Sequence, residues 1–357
     1  MSDYFDRVER QIVRNVEAGL PRSSRRPSAF GYLATAAAVA VVIVVIVVAG
    51  VFLLARGSNR PAGSAAGTGP RDVTVTFKAK AIDPKAPVGP AAIDRSISIL
   101  LERLTHAFPG TSVSWNGRDI VVVAPHAGTA ARARILALAV PGRLRFYDWE
   151  ADAITPNGKT VASQLQAQNP TALQISQGSE SLAPGQTGAG SMPLRQALAL
   201  ASRLPRKGVV VEAVDPSGYS PANFANPHAR FYVLRDDSVL TEAAITHPKQ
   251  RTDASGSPDL QFGFTRTGGA VFKNMTKTVA VRGDQVSGPG RTLNQHFAIA
   301  LDGRLLTVPY IDFKVYPDGI APGNGADISG GFTVQSAQDL ATILRYGPLP
   351  VTLTATG

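Results

Sequence analysis

The sequence predicts an α+β protein in which one apolar segment precedes a folded body. Hydrophobic periodicity spells out the order βαββαβ between Val73 and Trp149, and a second such order runs from Leu260 to Thr354. The stretch between them is rich in loops, and ahead of everything the twenty-six residues Phe30–Ala55 carry no formal charge.

The apolar segment follows a tail, residues 1–29. As a helix rising about 1.5 Å per residue it slightly exceeds a hydrocarbon core of about 30 Å, so a single tilted transmembrane helix over 30–55 is expected. A cleaved secretory signal is the alternative, but its apolar region is about 7 to 15 residues and starts nearer the N-terminus. No Asp, Glu, His, Lys or Arg lies inside, so the helix offers no proton relay. Arg14, Arg22, Arg25 and Arg26 precede it and Arg56, Arg60 and Arg71 follow. That small asymmetry, with the short tail, favours a cytoplasmic N-terminus and an extracytoplasmic body in the cell membrane. Residues 56–70, RGSNRPAGSAAGTGP, have the composition of a flexible linker.

In the body, Val73–Ala79 reads as a strand and Ala91–Ala107 as a helix whose Ile93, Ile97, Leu100, Leu101 and Leu104 form one apolar stripe. A hairpin follows, Thr111–Trp115 and Ile120–Ala124, turned at Asn116-Gly117. A helix Thr129–Val140 and a strand Leu144–Trp149 complete a split βαβ, ferredoxin-like order over 71–150. The second such half, 259–357, contains strand Leu260–Phe264, helix Ala270–Val281, strands His296–Leu301 and Leu305–Tyr310 around the turn Asp302-Gly303, helix Val334–Tyr346 and strand Val351–Thr354. Two ferredoxin-like halves forming a base with antiparallel sheet are therefore expected. Between them, 151–258 holds a helix Leu194–Leu204, a strand Val209–Val214 and two long loops, Ser176–Pro193 and Asp215–Pro227, and is expected to fold as an inserted head lobe.

Composition narrows the chemistry. The chain has no cysteine, which excludes disulfides, thiolate metal sites and cysteine nucleophiles. Its net charge of +10 includes eight arginines against four acids up to Arg60. The rest is dispersed, without the clustered basic and aromatic surface that grips nucleic acid. His106, His126, His228, His247 and His296 show no metal-ligand spacing, and no nucleophile elbow, Walker loop or GxGxxG occurs. Neither an enzyme nor a bound metal or cofactor is expected.

The C-terminal motifs resemble a specific family. HFAIALDGRLLTVPYI from His296 and ADISGGFTVQSAQDLATILRYGPLP ending at Pro350 are similar to the first extracytoplasmic domain of SecD, a membrane subunit that assists the Sec protein-export channel. ILLERL, NGRDIVVVAP and GRLRF match more weakly, and Val73–Lys80 lacks the Asp-Leu-x-Gly-Gly stretch with which that domain begins. Asp302, Gly303, Pro309, Gly330, Phe332, Gly347, Leu349 and Pro350 carry the match. Gly303 suits a two-residue turn, Gly330 a bend and Gly347 a left-handed helix cap, so these positions read as scaffold.

The resemblance implies a SecD-like accessory protein that binds or holds exported polypeptide and has Sec components as partners. Because the sequence stops soon after Pro350, the expectation is a truncated version without a proton-driven motor. Tyr219, Phe224, Phe231 and Tyr232 are the client-binding candidates, through apolar contact and backbone hydrogen bonds. Asp148, Trp149 and Glu150, where base passes into head, are hinge candidates. The other expectation is a single-pass envelope sensor or scaffold, supported by the near-helical spacing of Tyr4, Phe5, Val8, Ile12, Val13 and Val16 in the tail.

Overall fold

A computed structural model describes residues 72–82, 87–128, 130–167, 190–205, 208–213, 229–253, 255–288, 292–329 and 331–356. The expected tail, membrane helix and linker lie outside these residues, as do Tyr219, Phe224 and Gly330. Among the described residues no helix is long and apolar enough to cross a membrane.

The first layer forms as its periodicity requires. Strand β1 (Val73–Ala81) alternates Val, Phe and Ala with Thr and Lys, and β3 (Ile120–Ala124) buries every second residue. Helix α1 (Pro90–Ala107), with proline in its first turn, lays Ile93, Ile99, Leu100 and Leu104 on that apolar face. Strand β2 (Ser112–Trp115) pairs with β3, and α2 (Ala131–Leu138) closes the core.

The fourth strand of this sheet is not the one expected. The antiparallel order is β15-β1-β3-β2, with β15 being Val351–Thr356 from the far end of the chain. Strand β4 (Leu144–Asp148) instead pairs with β11 (Gln295–Leu301). One βαββαβ unit is thus assembled from residues 73–138 and 351–356, and residues 144–346 are inserted between its second helix and its fourth strand. Alternation explains the exchange. VTLTAT has one solvated and one buried face and suits a sheet covered on one side. QHFAIAL is buried at all seven positions and LRFYD at four of five, so both belong inside a sheet covered on both faces.

The second ferredoxin-like half does not form. Its strands are dispersed over three sheets: β10 (Pro258–Phe264) lies between β9 (Ile245–Thr252) and β14 (Ala326–Ile328), while β11 and β12 (Arg304–Thr307) join the large sheet. That sheet runs β5-β7-β6-β12-β11-β4-β8, with β13 (Tyr310–Ile311) also paired to β11, β5 at Ala153–Ile154, β6 at Gly208–Glu212, β7 at Phe231–Arg235 and β8 at Leu240–Thr241. Strands from the middle of the chain therefore share a sheet with β4, β11 and β12, rather than folding as a lobe of their own. Short helices α3 (Trp149–Asp152) and α4 (Val161–Ala167) follow β4, and α5 (Leu194–Arg203) precedes β6.

Two helices fix the layers of the insertion. Helix α6 (Arg266–Val286) begins four residues earlier than its pattern implied, capped by the Thr265 hydroxyl. In its first turn a Cβ at Gly268 would lie 2.5 Å from the Ala244 carbonyl and one at Gly269 2.9 Å from Pro322. Close packing requires glycine there. Phe272, on the buried face of α6, stacks on Phe264 at 4.7 Å between centroids and meets Phe146 and Phe297 edge-on. Helix α7 (Val334–Tyr346) is a shared wall: Ala337, Leu340, Ala341 and Leu344 belong to the insertion's core, whereas Ile343 belongs to the core of the βαββαβ unit.

Candidate functional site

The insertion joins the βαββαβ unit along two adjacent connectors, residues 139–143 and 347–350, and buried polar side chains hold that junction. Arg103 occupies the apolar stripe of α1 and is fully buried. Its Nη1 donates to the carbonyls of Leu138 (2.8 Å) and Val140 (2.6 Å), and its Nη2 to those of Pro141 (3.2 Å) and Gly347 (2.6 Å). One planar fork thereby serves the end of α2 and both connectors, a geometry that the point charge of lysine does not reproduce. The Leu349 amide donates to the Pro141 carbonyl at 2.8 Å, tying one connector to the other.

The motif residues supply the rest. Asp302 adopts φ +50° in the turn between β11 and β12, followed by Gly303 at φ +79°. Its carboxylate accepts from the backbone amides of Gly142 and Arg143, both at 2.9 Å. Burial pushes the Asp302 carboxyl up, against those two hydrogen bonds and the charge of Arg103. Gly347 ends α7 at φ +79°, ψ 178°, a region open essentially to glycine alone and distinct from the left-handed cap expected there. Leu349 is buried in the core of the βαββαβ unit, Phe332 in that of the insertion, and the Pro309 carbonyl accepts from Phe297. Arg134 of α2 meets Asp339 of α7 at 3.0 Å across the same junction.

Asp148, Trp149 and Glu150 lie further into the insertion. Asp148 caps α3 and is gripped by both terminal nitrogens of Arg282 on α6, its Oδ2 at 2.9 Å. Glu150 accepts from the His296 amide at 2.8 Å and meets His296 Nδ1 at 2.7 Å. Trp149 is fully buried and packs edge-on against Tyr232, 5.1 Å between centroids. These three side chains are fixed to α6, β11 and β7, and the crossings between unit and insertion lie elsewhere, at 139–143 and 347–350. Burial raises the Asp148 carboxyl, and burial with the charge of Asp148 raises that of Asp152 to about 7 although Arg235 stands 3.9 Å away.

Of the client-binding candidates within the described residues, Tyr232 is buried beneath Trp149, with its hydroxyl pushed up to about 12 by burial, and Phe231 is half-buried against α5. The exposed apolar surface nearby is instead Leu194 and Leu198, one turn apart on α5 and 46% and 53% exposed. Their i, i+4 spacing was visible in the sequence, as was the one cation inside the apolar stripe of α1, Arg103. The pairing of Asp148 with Arg282 and of Glu150 with His296 had no local signal.

Residues 220–351 match the family described as SecDF, P1 head subdomain. That range includes most of what the sequence pattern assigns to a second half of the base. Among curated proteins, protein translocase subunit SecD of Rickettsia prowazekii (strain Madrid E) is 33% identical over 127 residues, 35% of this chain and 21% of that protein. SecD of Rhodobacter capsulatus is 32% identical over 124 residues, 35% of this chain and 19% of that protein. The chain thus spans about a fifth of the length of these relatives. A crystal structure of SecDF in a super-membrane-facing form is similar at 21% identity and a TM-score of 0.47, over 82% of this chain and 32% of that one.

Proposed function

We propose, for a chain that carries a SecD-like P1 domain, a membrane-anchored accessory role in protein export: it holds exported polypeptide beside the Sec translocation machinery. The observation that carries this reading is the match of residues 220–351 to a SecDF P1 head subdomain. In this reading residues 30–55 are a single transmembrane span, the N-terminus is cytoplasmic and the body extracytoplasmic. The inserted region presents the client surface, and the βαββαβ unit carries it at a set angle through the Arg103 and Asp302 connectors.

Holding chains of varied sequence requires apolar contact and backbone hydrogen bonds rather than one charge pattern. Leu194 and Leu198 supply exposed apolar area, and Tyr219 and Phe224, outside the described residues, fall between β6 and β7 in the sequence. The experiment is in vivo photocrosslinking from positions 194, 198, 219 and 224 of the full chain. Adducts with many unrelated exported polypeptides are expected. One dominant protein that is not exported, or no adduct from a folded and membrane-associated chain, would overturn the reading.

A further inference from the structure

The four-stranded sheet β15-β1-β3-β2 is covered by helices on one face only. On the other face the register places Thr352 opposite Lys80, Thr354 opposite Lys78, Thr356 opposite Thr76, and Val121 and Val123 beside Ser114 and Ser112. Thr74, Lys78, Lys80, Ser112, Ser114, Thr352 and Thr354 are exposed. Among the described residues of this face there is no carboxylate, and its charges are lysines. Asp72, just before β1, is turned to the His126 amide at 3.0 Å. Only Val121 and Val123 are apolar, too little for a second sheet to pack against, since sheet-on-sheet cores need interdigitating apolar side chains.

Position adds to composition. The linker expected between the uncharged segment 30–55 and β1 is only fifteen residues, 56–70. It contains Arg56 and Arg60, with Arg71 just beyond, and no acid. The open face is also turned away from the insertion, because α1, α2 and α7 occupy the opposite side.

We infer that this open sheet face docks on an anionic lipid surface, with Lys78 and Lys80 against lipid phosphates and the threonine and serine hydroxyls donating to headgroup oxygens. The inference rests on the anchor in the proposed function and adds an orientation to it: sheet toward the bilayer, insertion away. A lysine beside an anionic leaflet is worth roughly fivefold in local binding, and the effect fades within a Debye length.

Because the chain has no cysteine, one environment-sensitive fluorophore can be placed at Thr354→Cys, with Ser98→Cys on the exposed side of α1 as its control. The full chain is reconstituted in phosphatidylcholine vesicles with or without phosphatidylglycerol, and quenching by a headgroup-nitroxide lipid is read. Quenching at 354 several-fold above that at 98 is expected in phosphatidylglycerol vesicles. It should fall at least fivefold in Lys78→Glu/Lys80→Glu, whose fold is checked by circular dichroism. Equal quenching at the two positions, or quenching indifferent to phosphatidylglycerol, overturns the inference. So does protection of position 354 in cells without quenching in vesicles, which would assign the face to a protein partner. Carbonate extraction separates the readings: a chain that washes out refutes the anchor and the docking together, whereas a retained chain with an unquenched label refutes the docking alone.

Discussion

Replacing Arg103 with methionine tests whether the junction is held by one guanidinium. Methionine keeps much of the apolar stem and removes the four donors that reach Leu138, Val140, Pro141 and Gly347. A buried acceptor left without a partner costs about 1–3 kcal/mol, and with four carbonyls orphaned a loss of about 3–5 kcal/mol is expected after the relieved desolvation of the cation is counted. For a folded region of this size that corresponds to a fall in Tm of about 10 °C. The two tryptophans stand on opposite sides of the junction, Trp115 on β2 and Trp149 in the insertion, so urea unfolding followed by fluorescence reports on both parts. The loss should be intermediate in Arg103→Lys, which keeps the charge but not the fork. A loss below about 1 kcal/mol in Arg103→Met would show that water replaces the guanidinium and would refute the argument.

Gly142→Ala should destabilise by more than about 2 kcal/mol, because φ is +84° and the new Cβ would lie 2.5 Å from Ile343 Cγ2 and 2.7 Å from Arg103 Nη2, whereas Gly117→Ala, at φ +87° in open space, should cost about 1 kcal/mol; urea midpoints compare them. Phe272→Ala should cost about 3–5 kcal/mol by emptying the aromatic cluster of α6, measured the same way. Asp152 favours the folded state while protonated, so its contribution is complete below its unfolded value near 4 and is lost as pH rises through about 7. Unfolding midpoints between pH 5 and 8 should fall less steeply in Asp152→Asn than in the parent chain, and identical slopes would remove Asp152 as the cause.

Most individual elements were legible locally. The stripe of α1, the Asn116-Gly117 hairpin, α7 with its terminal glycine and the strand residues of β10 and β11 all follow from spacing and turn chemistry. Strand β9 was missed because Pro248, Lys249, Gln250 and Arg251 look like a loop; it is an edge strand, where proline and cations are tolerated. The candidate surface was less legible. Strand alternation says that one of Phe231 and Tyr232 faces the core but not which, because the neighbour that covers Tyr232, Trp149, comes from a segment more than eighty positions earlier in the chain.

The sequence by itself determined most of the helices and strands, the absence of cysteine chemistry and the resemblance carried by the C-terminal motifs, because each depends on neighbours a few positions apart. Only the tertiary structure decided which strands are partners. β15 returns to complete the first sheet and β4 departs to the large one, since one-sided strands gather where one face meets water and fully apolar strands gather where neither does. The same long-range pairing turned Arg103, Asp302 and Gly347 from separate motif positions into one junction, as the backbone carbonyls and amides they serve or supply adjoin only after the chain has closed on itself.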